Sequence, residues 1–253
     1  MGFQIVDNVV VVDHDLNLHA DTRTTNNPRS FMYDGITVHP VFYRMNDETR
    51  SSGSPGDNCP FIYALKQKDG LKVRYSGIKS LHKNFSTILG YIAGGGASYQ
   101  YLVPIPSASS IASVLTERFR RVASNVTVEA GWLKKATIEN ALANADALNT
   151  KVVPSSDIRV LRSELNRQRK MNGAHSSYSS KRMPAGLRKH VQPLSLHGTD
   201  FPEDVNHITF VDDLISSGTS MLCARDLLRE IYPGAVFSVV ALFGPLHGKL
   251  RHR

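Results

Sequence analysis

Cysteine is nearly absent from this chain. Its 253 residues hold two, Cys59 and Cys223, too few for a disulfide framework or a four-thiolate zinc site, which makes the cytoplasm the expected compartment. Long apolar runs are missing as well. No stretch approaches the eighteen or so residues that a membrane-spanning helix needs, so no membrane partner is expected. The opening MGFQIVDNVVVVDHD has no basic segment and meets acids early, unlike a secretory leader. Val6 stands where a myristoylation signal needs Ser or Thr. Tryptophan occurs once, and Trp132 is expected in the core. Acids are in deficit: 22 Asp and Glu face 30 Lys and Arg, a formal net charge of +8. That balance favours anionic partners, whether phosphorylated metabolites, nucleotides or nucleic acid, without separating them.

The first 58 residues are rich in β-formers and turns. IVDNVVVVD, from Ile5 to Asp13, predicts a strand, and GITVHPVFY, from Gly35 to Tyr43, predicts another whose Pro40 suits an edge or a bulge. Asp13, His14, Asp15, His19 and Asp21 gather acids and histidines, but not at ligand spacing, so exposed loop residues are expected there. Residues 44–58 have the composition of a linker.

From Cys59 the pattern changes. Ile78, Leu81, Phe85, Ile88, Leu89 and Ile92 have helical spacing, ended by Gly94-Gly95-Gly96. YQYLVPI predicts a strand over 99–105, Pro106 to Ser110 a small-residue turn, and Ile111, Val114, Leu115, Phe119 and Val122 a following helix. An amphipathic helix is expected within 134–149. Basic residues then accumulate: Arg159, Arg162, Arg167, Arg169, Lys170, Lys181, Arg182, Arg188 and Lys189, around the polar MNGAHSSYSS. This region predicts a mobile basic loop. AVFSVVALF, over 235–243, predicts a strand covered on both faces of a parallel sheet, and the basic end GPLHGKLRHR is expected to fray.

The chemistry concentrates in ITFVDDLISSGTS, Ile208 to Ser220. A short buried strand runs into Asp212 and Asp213, then into the turn Ser216-Ser217-Gly218-Thr219-Ser220, then into helical spacing from Met221 to Tyr232. Ligands of open parallel sheets sit beyond the carboxyl ends of the strands, where this order places the polar cluster. A turn entering a helix N-terminus attracts phosphate through free amides and the helix dipole. Gly218 permits close backbone approach, and the hydroxyls add donors. Carboxylates repel phosphate but accept hydrogen bonds from a vicinal diol. Two acids followed by a hydroxyl-lined cup therefore suit ribose 5-phosphate.

In order and kind these residues resemble the motif by which type I phosphoribosyltransferases bind 5-phosphoribosyl 1-diphosphate (PRPP). Within that family the chain is most similar to the ComF-like group. FIYALKQKDG with the helix after it, LVPIPSASS and MPAGLRKHVQPLSL carry the wider similarity, over about residues 60–245. The four-cysteine zinc module and the long Arg-rich run common in that group are not matched here.

The resemblance implies an α/β fold, a type I phosphoribosyltransferase-like central parallel sheet flanked by helices over 59–253, with residues 1–58 as a β-rich N-terminal extension and linker. It implies transfer of a phosphoribosyl group from PRPP to a nitrogenous acceptor with release of pyrophosphate, in nucleotide metabolism. Asp212 and Asp213 would hold the ribose hydroxyls and Ser216, Ser217, Gly218, Thr219 and Ser220 the 5-phosphate. Amides of Ser107, Ala108, Ser109 and Ser110, with Arg167, Arg169 or Lys170 from the basic loop, would neutralise the diphosphate. Mg²⁺ is the implied cofactor, carried mainly by PRPP, with Asp212 and Asp213 as weak ligands. A homodimer is among the expected states. Two alternatives remain open: a PRPP- or nucleotide-sensing protein without turnover, acting in nucleic-acid handling, and a defence or toxin effector.

Overall fold

The computed structural model describes residues 2–13, 16, 18–45, 59–179, 183–198 and 200–246. The linker at 46–58, Lys181, Arg182 and the basic end at 247–253 lie outside the described residues, as do His14 and Asp15.

The chain opens with β1 (Gly2–Val6) and β2 (Val9–Asp13), an antiparallel pair rather than the single strand its β-branched run predicts. Asp7 and Asn8 break it. Both take positive φ, 49° and 62°, the backbone that a two-residue hairpin turn requires and that Asp and Asn tolerate. Phe3 anchors the hairpin to the core, stacked on Phe61 at 4.8 Å.

After β3 (Ala20–Asp21) and β4 (Phe31–Tyr33) comes β5 (Ile36–Arg44), which runs unbroken through Pro40. The sheet tolerates that proline because β4 pairs with β5 only as far as Val38 and β3 only from Tyr43. Pro40 thus falls between two short antiparallel neighbours, where no amide is asked of it.

The central sheet has seven strands in the order β3-β5-β12-β11-β7-β8, with β4 also on β5. β7 (Tyr101–Pro104), β8 (Thr127–Val128), β11 (His207–Leu214) and β12 (Val236–Leu246) are parallel to one another and to β5. The fold is therefore mixed α/β, a mostly parallel sheet flanked by helices. The N-terminal stretch contributes β5 to this sheet, hydrogen-bonded along β12.

Each face has its own core. On one, α1 (Pro60–Leu65), α2 (Tyr75–Ala93) and α3 (Ile111–Arg120) cover Val41, Val211 and Val240. On the other, α6 (Thr219–Ile231) packs on Ile208, Phe210, Phe237 and Val239. Trp132, Tyr232 and Phe243 are all core residues, and none offers a free stacking face. β6 (Lys72–Val73) extends the hairpin sheet, and β9 (Leu133–Lys135) pairs with β10 (Leu194–Leu196).

The region expected to be a mobile basic loop is instead largely helical. α4 (Ile138–Asp146) and α5 (Ser155–Asn172) share a small satellite core of Ala141, Ala145, Leu161 and Leu165. Ile158, Leu161 and Leu165 supply the helical spacing, which the density of charge between them masks in the sequence. Among the described residues no helix is long and apolar enough to cross a membrane.

Gly244 tests the packing of β12 on β5. A Cβ there would lie 2.7 Å from Pro40 Cβ, and the Gly244 carbonyl accepts from buried Arg44 Nε at 2.5 Å. Gly244→Val is expected to lower the unfolding free energy by about 1–3 kcal/mol through overpacking, measured by urea denaturation. An unchanged midpoint would show that the two strands slide apart freely.

Candidate functional site

β11 and β7 are adjacent, and the chain turns out of both at their carboxyl ends. The Ile105 amide bonds the Val211 carbonyl at 2.8 Å, so the turn after β7 stays beside β11 as far as its acids. Asp212 and Asp213 form the last turn of β11, on opposite faces by strand alternation.

Asp213, with Val211, faces α1 and α3. It is 4% exposed. Its Oδ2 meets Lys66 Nζ at 2.5 Å and accepts a hydrogen bond from Ser109 Oγ at 3.1 Å. Ser109 in turn lies 3.3 Å from Ser107, hydroxyl to hydroxyl. The structure thus brings together the loop Ser107 to Ser110 and the acid pair, as the sequence pattern requires. Lys66 is the residue that sequence reasoning did not assign. It caps the end of α1, and its only signal was its place in the segment FIYALKQKDG.

Asp212 is half-buried, and its Oδ1 accepts from the Asp213 amide at 2.8 Å. Burial, aided by the neighbouring Asp213 charge, pushes its carboxyl up to about 7; that amide, Lys66 and the Leu214 amide oppose the shift. Asp212 is therefore about half protonated at neutral pH, where the sequence suggests two full negative charges.

The polar turn follows. Gly218 takes φ 74° and caps α6 without any side-chain bond to the helix amides, so donors at this N-terminus remain available for an anion. Ser216 and Ser217 are exposed, Thr219 and Ser220 half-buried. Ser217 and Thr219 share a 2.8 Å hydroxyl contact, and a cavity of ≈ 260 Å³ opens beside them, bounded by Tyr33, Gln192 and Pro193. The N-terminus of α3, at Ser110, also has no side-chain cap.

A buried arginine braces this end of the sheet. Arg44, 3% exposed, donates to the Ile215 carbonyl at 2.7 Å from the end of β5, fixing the turn between Asp213 and the hydroxyl cup. Nearby Cys59 is held inert, its thiol pushed up to about 12 by burial, and Cys223 likewise to about 11.

Arg167, Arg169 and Lys170 belong to α5. They lie on the solvent side of α5, all exposed, and Arg167 pairs with Glu164 at 2.8 Å, one turn away on its own helix. Lys66 is the cation that pairs with Asp213 among the described residues. Among the described residues no group of three or more His, Cys, Asp and Glu could hold a metal ion. Asp213 Oδ2 is shared by Lys66 and Ser109, and Asp212 Oδ1 takes the Asp213 amide.

No family model matches the chain, and no curated protein matches it either.

Proposed function

We propose that this end of the sheet binds PRPP and transfers its phosphoribosyl group to a nitrogenous acceptor, releasing pyrophosphate. One observation carries the reading: two βα turns on neighbouring parallel strands converge, one bringing Ser109 to Asp213 and the other placing the uncapped, Gly218-led helix α6 just beyond it. A diphosphate and a 5-phosphate need two anion-accepting turns with diol acceptors between them, and this arrangement supports that demand. On this reading the family resemblance extends to the fold, type I phosphoribosyltransferase-like.

Asp212 and Asp213 would accept from the ribose hydroxyls and orient the anomeric carbon for attack. Amides of Ser107, Ala108, Ser109 and Ser110, with Lys66, would take up charge on the departing diphosphate. The hydroxyls and amides from Ser216 to Ser220 would hold the 5-phosphate. Mg²⁺, when bound, would neutralise diphosphate oxygens, with Asp212 the residue placed to receive it. An apolar groove of ≈ 370 Å³ reaches Ser110 and is walled by Phe61, His82, Phe85 and Leu242; it offers an aromatic acceptor a place to pack.

Calorimetric titration with PRPP and Mg²⁺ tests the reading, followed by pyrophosphate release over a panel of nucleobases. Saturable binding in about the micromolar range with release in the presence of one base is the expected result. Binding without release under any acceptor would favour the sensing alternative, and absence of PRPP binding by the folded protein would refute both.

A further inference from the structure

The opposite, amino end of the sheet carries a feature that PRPP chemistry does not use. Strands buried in a parallel sheet are normally apolar on both faces. Here Thr37, Ser238 and Thr209 stand in register on β5, β12 and β11, a row of hydroxyls across the three central strands. His207 and His39 flank the row on the same face by strand alternation.

The row is organised. His207 Nδ1 lies 2.8 Å from the Ser98 carbonyl and so must donate; its Nε2 then accepts from Ser238 Oγ at 2.9 Å, and Ser238 accepts from Thr209 at 2.8 Å. Burial lowers the pKa of both histidines, that of His39 to about 4, so both are neutral at physiological pH. His39 Nδ1 meets Ser30 Oγ at 2.8 Å, leaving Nε2 for another partner.

Over this floor the helical layer is cut away. α2 ends at Gly94, and Gly90, Ala93, Gly95 and Ala97 keep the space clear, giving a cleft of ≈ 1130 Å³. That lies at or above the ~300–1,000 Å³ usual for small-molecule sites. Among the described residues no Asp, Glu, Lys or Arg lines it, in a chain with 52 such residues, the sum of 30 and 22. α2 presents its C-terminus here with no basic residue in its last turn, so its dipole disfavours anions at this end. Asn125, Ser124 and Asn206 complete the rim with neutral donors and acceptors.

We propose that this cleft is a second binding site, specific for an uncharged polyhydroxylated ligand: a free sugar or the sugar of an unphosphorylated nucleoside. Thr37, whose hydroxyl donates to Met32 Sδ and keeps its oxygen as an acceptor, reads vicinal hydroxyls with Ser238 and His39, and the lack of cations among the described lining residues together with the C-terminus of α2 disfavours phosphorylated counterparts. This does not depend on what the carboxyl end binds.

Backbone amide shifts in ¹⁵N–¹H spectra separate the two ends, with Gly94 and Gly95 reporting the cleft and Gly218 the opposite turn. Ribose, adenosine, ribose 5-phosphate and AMP are the probes. Ribose or adenosine is expected to shift Gly94 and Gly95 saturably, with a dissociation constant below about 10 mM; similar shifts by both would assign recognition to the sugar, and a stronger effect of adenosine would add the base. The phosphorylated probes are expected to leave those two amides unmoved. Gly90→Leu, whose Cβ meets no atom within 4 Å, should fill the cleft and weaken binding at least about tenfold. Thr37→Val should weaken it through the floor. Shifts of Gly94 and Gly95 by AMP equal to those by adenosine, indifference of binding to both substitutions, or no shift with any neutral probe would each overturn the proposal.

Discussion

A variant carrying Asp212→Asn and Asp213→Asn is expected to fold and to lose PRPP turnover. Asparagine keeps the shape and the Oδ1 acceptor that receives the Asp213 amide, but it has no charge with which to strengthen bonds from a ribose diol. Hydrogen bonds to charged groups contribute about 1.5–3 kcal/mol each, so the loss of two corresponds to at least about a hundredfold in affinity. Full pyrophosphate release by the folded double variant would defeat the proposed chemistry. The single Asp212→Asn change should also stabilise the protein at alkaline pH. The Asp212 carboxyl titrates near 7 when folded against 3.8 as its ordinary value. The folded state therefore holds a proton that the unfolded chain has released, and stability is lost as pH rises from about 4 through 7. The shift corresponds to about 4 kcal/mol at most, less where water reaches the half-buried carboxyl, and asparagine would restore it. Urea denaturation at pH 5 and pH 8 reads this directly: wild type should weaken between the two, and the variant much less. A variant more stable and less active is the signature of a residue placed for binding at the expense of the fold.

The core of the proposed site was legible because its elements are local and strongly patterned. β11 and α6 follow from a short β-branched and aromatic run, then acids, then Ser-Ser-Gly-Thr-Ser, then apolar residues with period 3.6. β7 and α3 repeat the pattern. What the sequence did not disclose is long-range. Lys66 reaches Asp213 from the end of a six-residue helix, and nothing near Lys66 marks it off from the chain's other lysines. The helix α5 was hidden by charge: its buried stripe is only Ile158, Leu161 and Leu165, completed by the polar Gln168. Gln168 is satisfied there by Glu164 and the Ser179 backbone, partners that the sequence cannot announce. Thr37, Thr209 and Ser238 read as ordinary strand residues until the register aligns them. The Asp7-Asn8 turn, in contrast, was available: two residues tolerant of positive φ between alternating apolar runs are a hairpin signal.

Lys66→Met is expected to be the most destabilising single change at this end of the sheet, lowering the unfolding free energy by about 2–4 kcal/mol. Methionine keeps the length and the apolar stem, so packing on α1 is nearly conserved and the charge alone is removed. Asp213 would then be a buried carboxylate with the Ser109 hydroxyl as its remaining recorded side-chain partner. Breaking a buried pair from one side typically costs about 3–5 kcal/mol because the other charge is left uncompensated. The Lys66 side chain keeps 16% of its surface exposed, so water relieves part of that cost. The two losses should not add. Adding Asp213→Asn to Lys66→Met should recover most of the loss, because the stranded charge disappears with its partner, and the cycle of four proteins should yield a coupling of at least about 1 kcal/mol. Additive losses would mean that solvent screens the pair, and Lys66 would then be free to leave Asp213 at little cost. A large coupling instead makes the ammonium a fixed part of the site, held by Asp213 beside Ser109. In the proposed reaction such a preplaced charge would act on the departing diphosphate without reorganising.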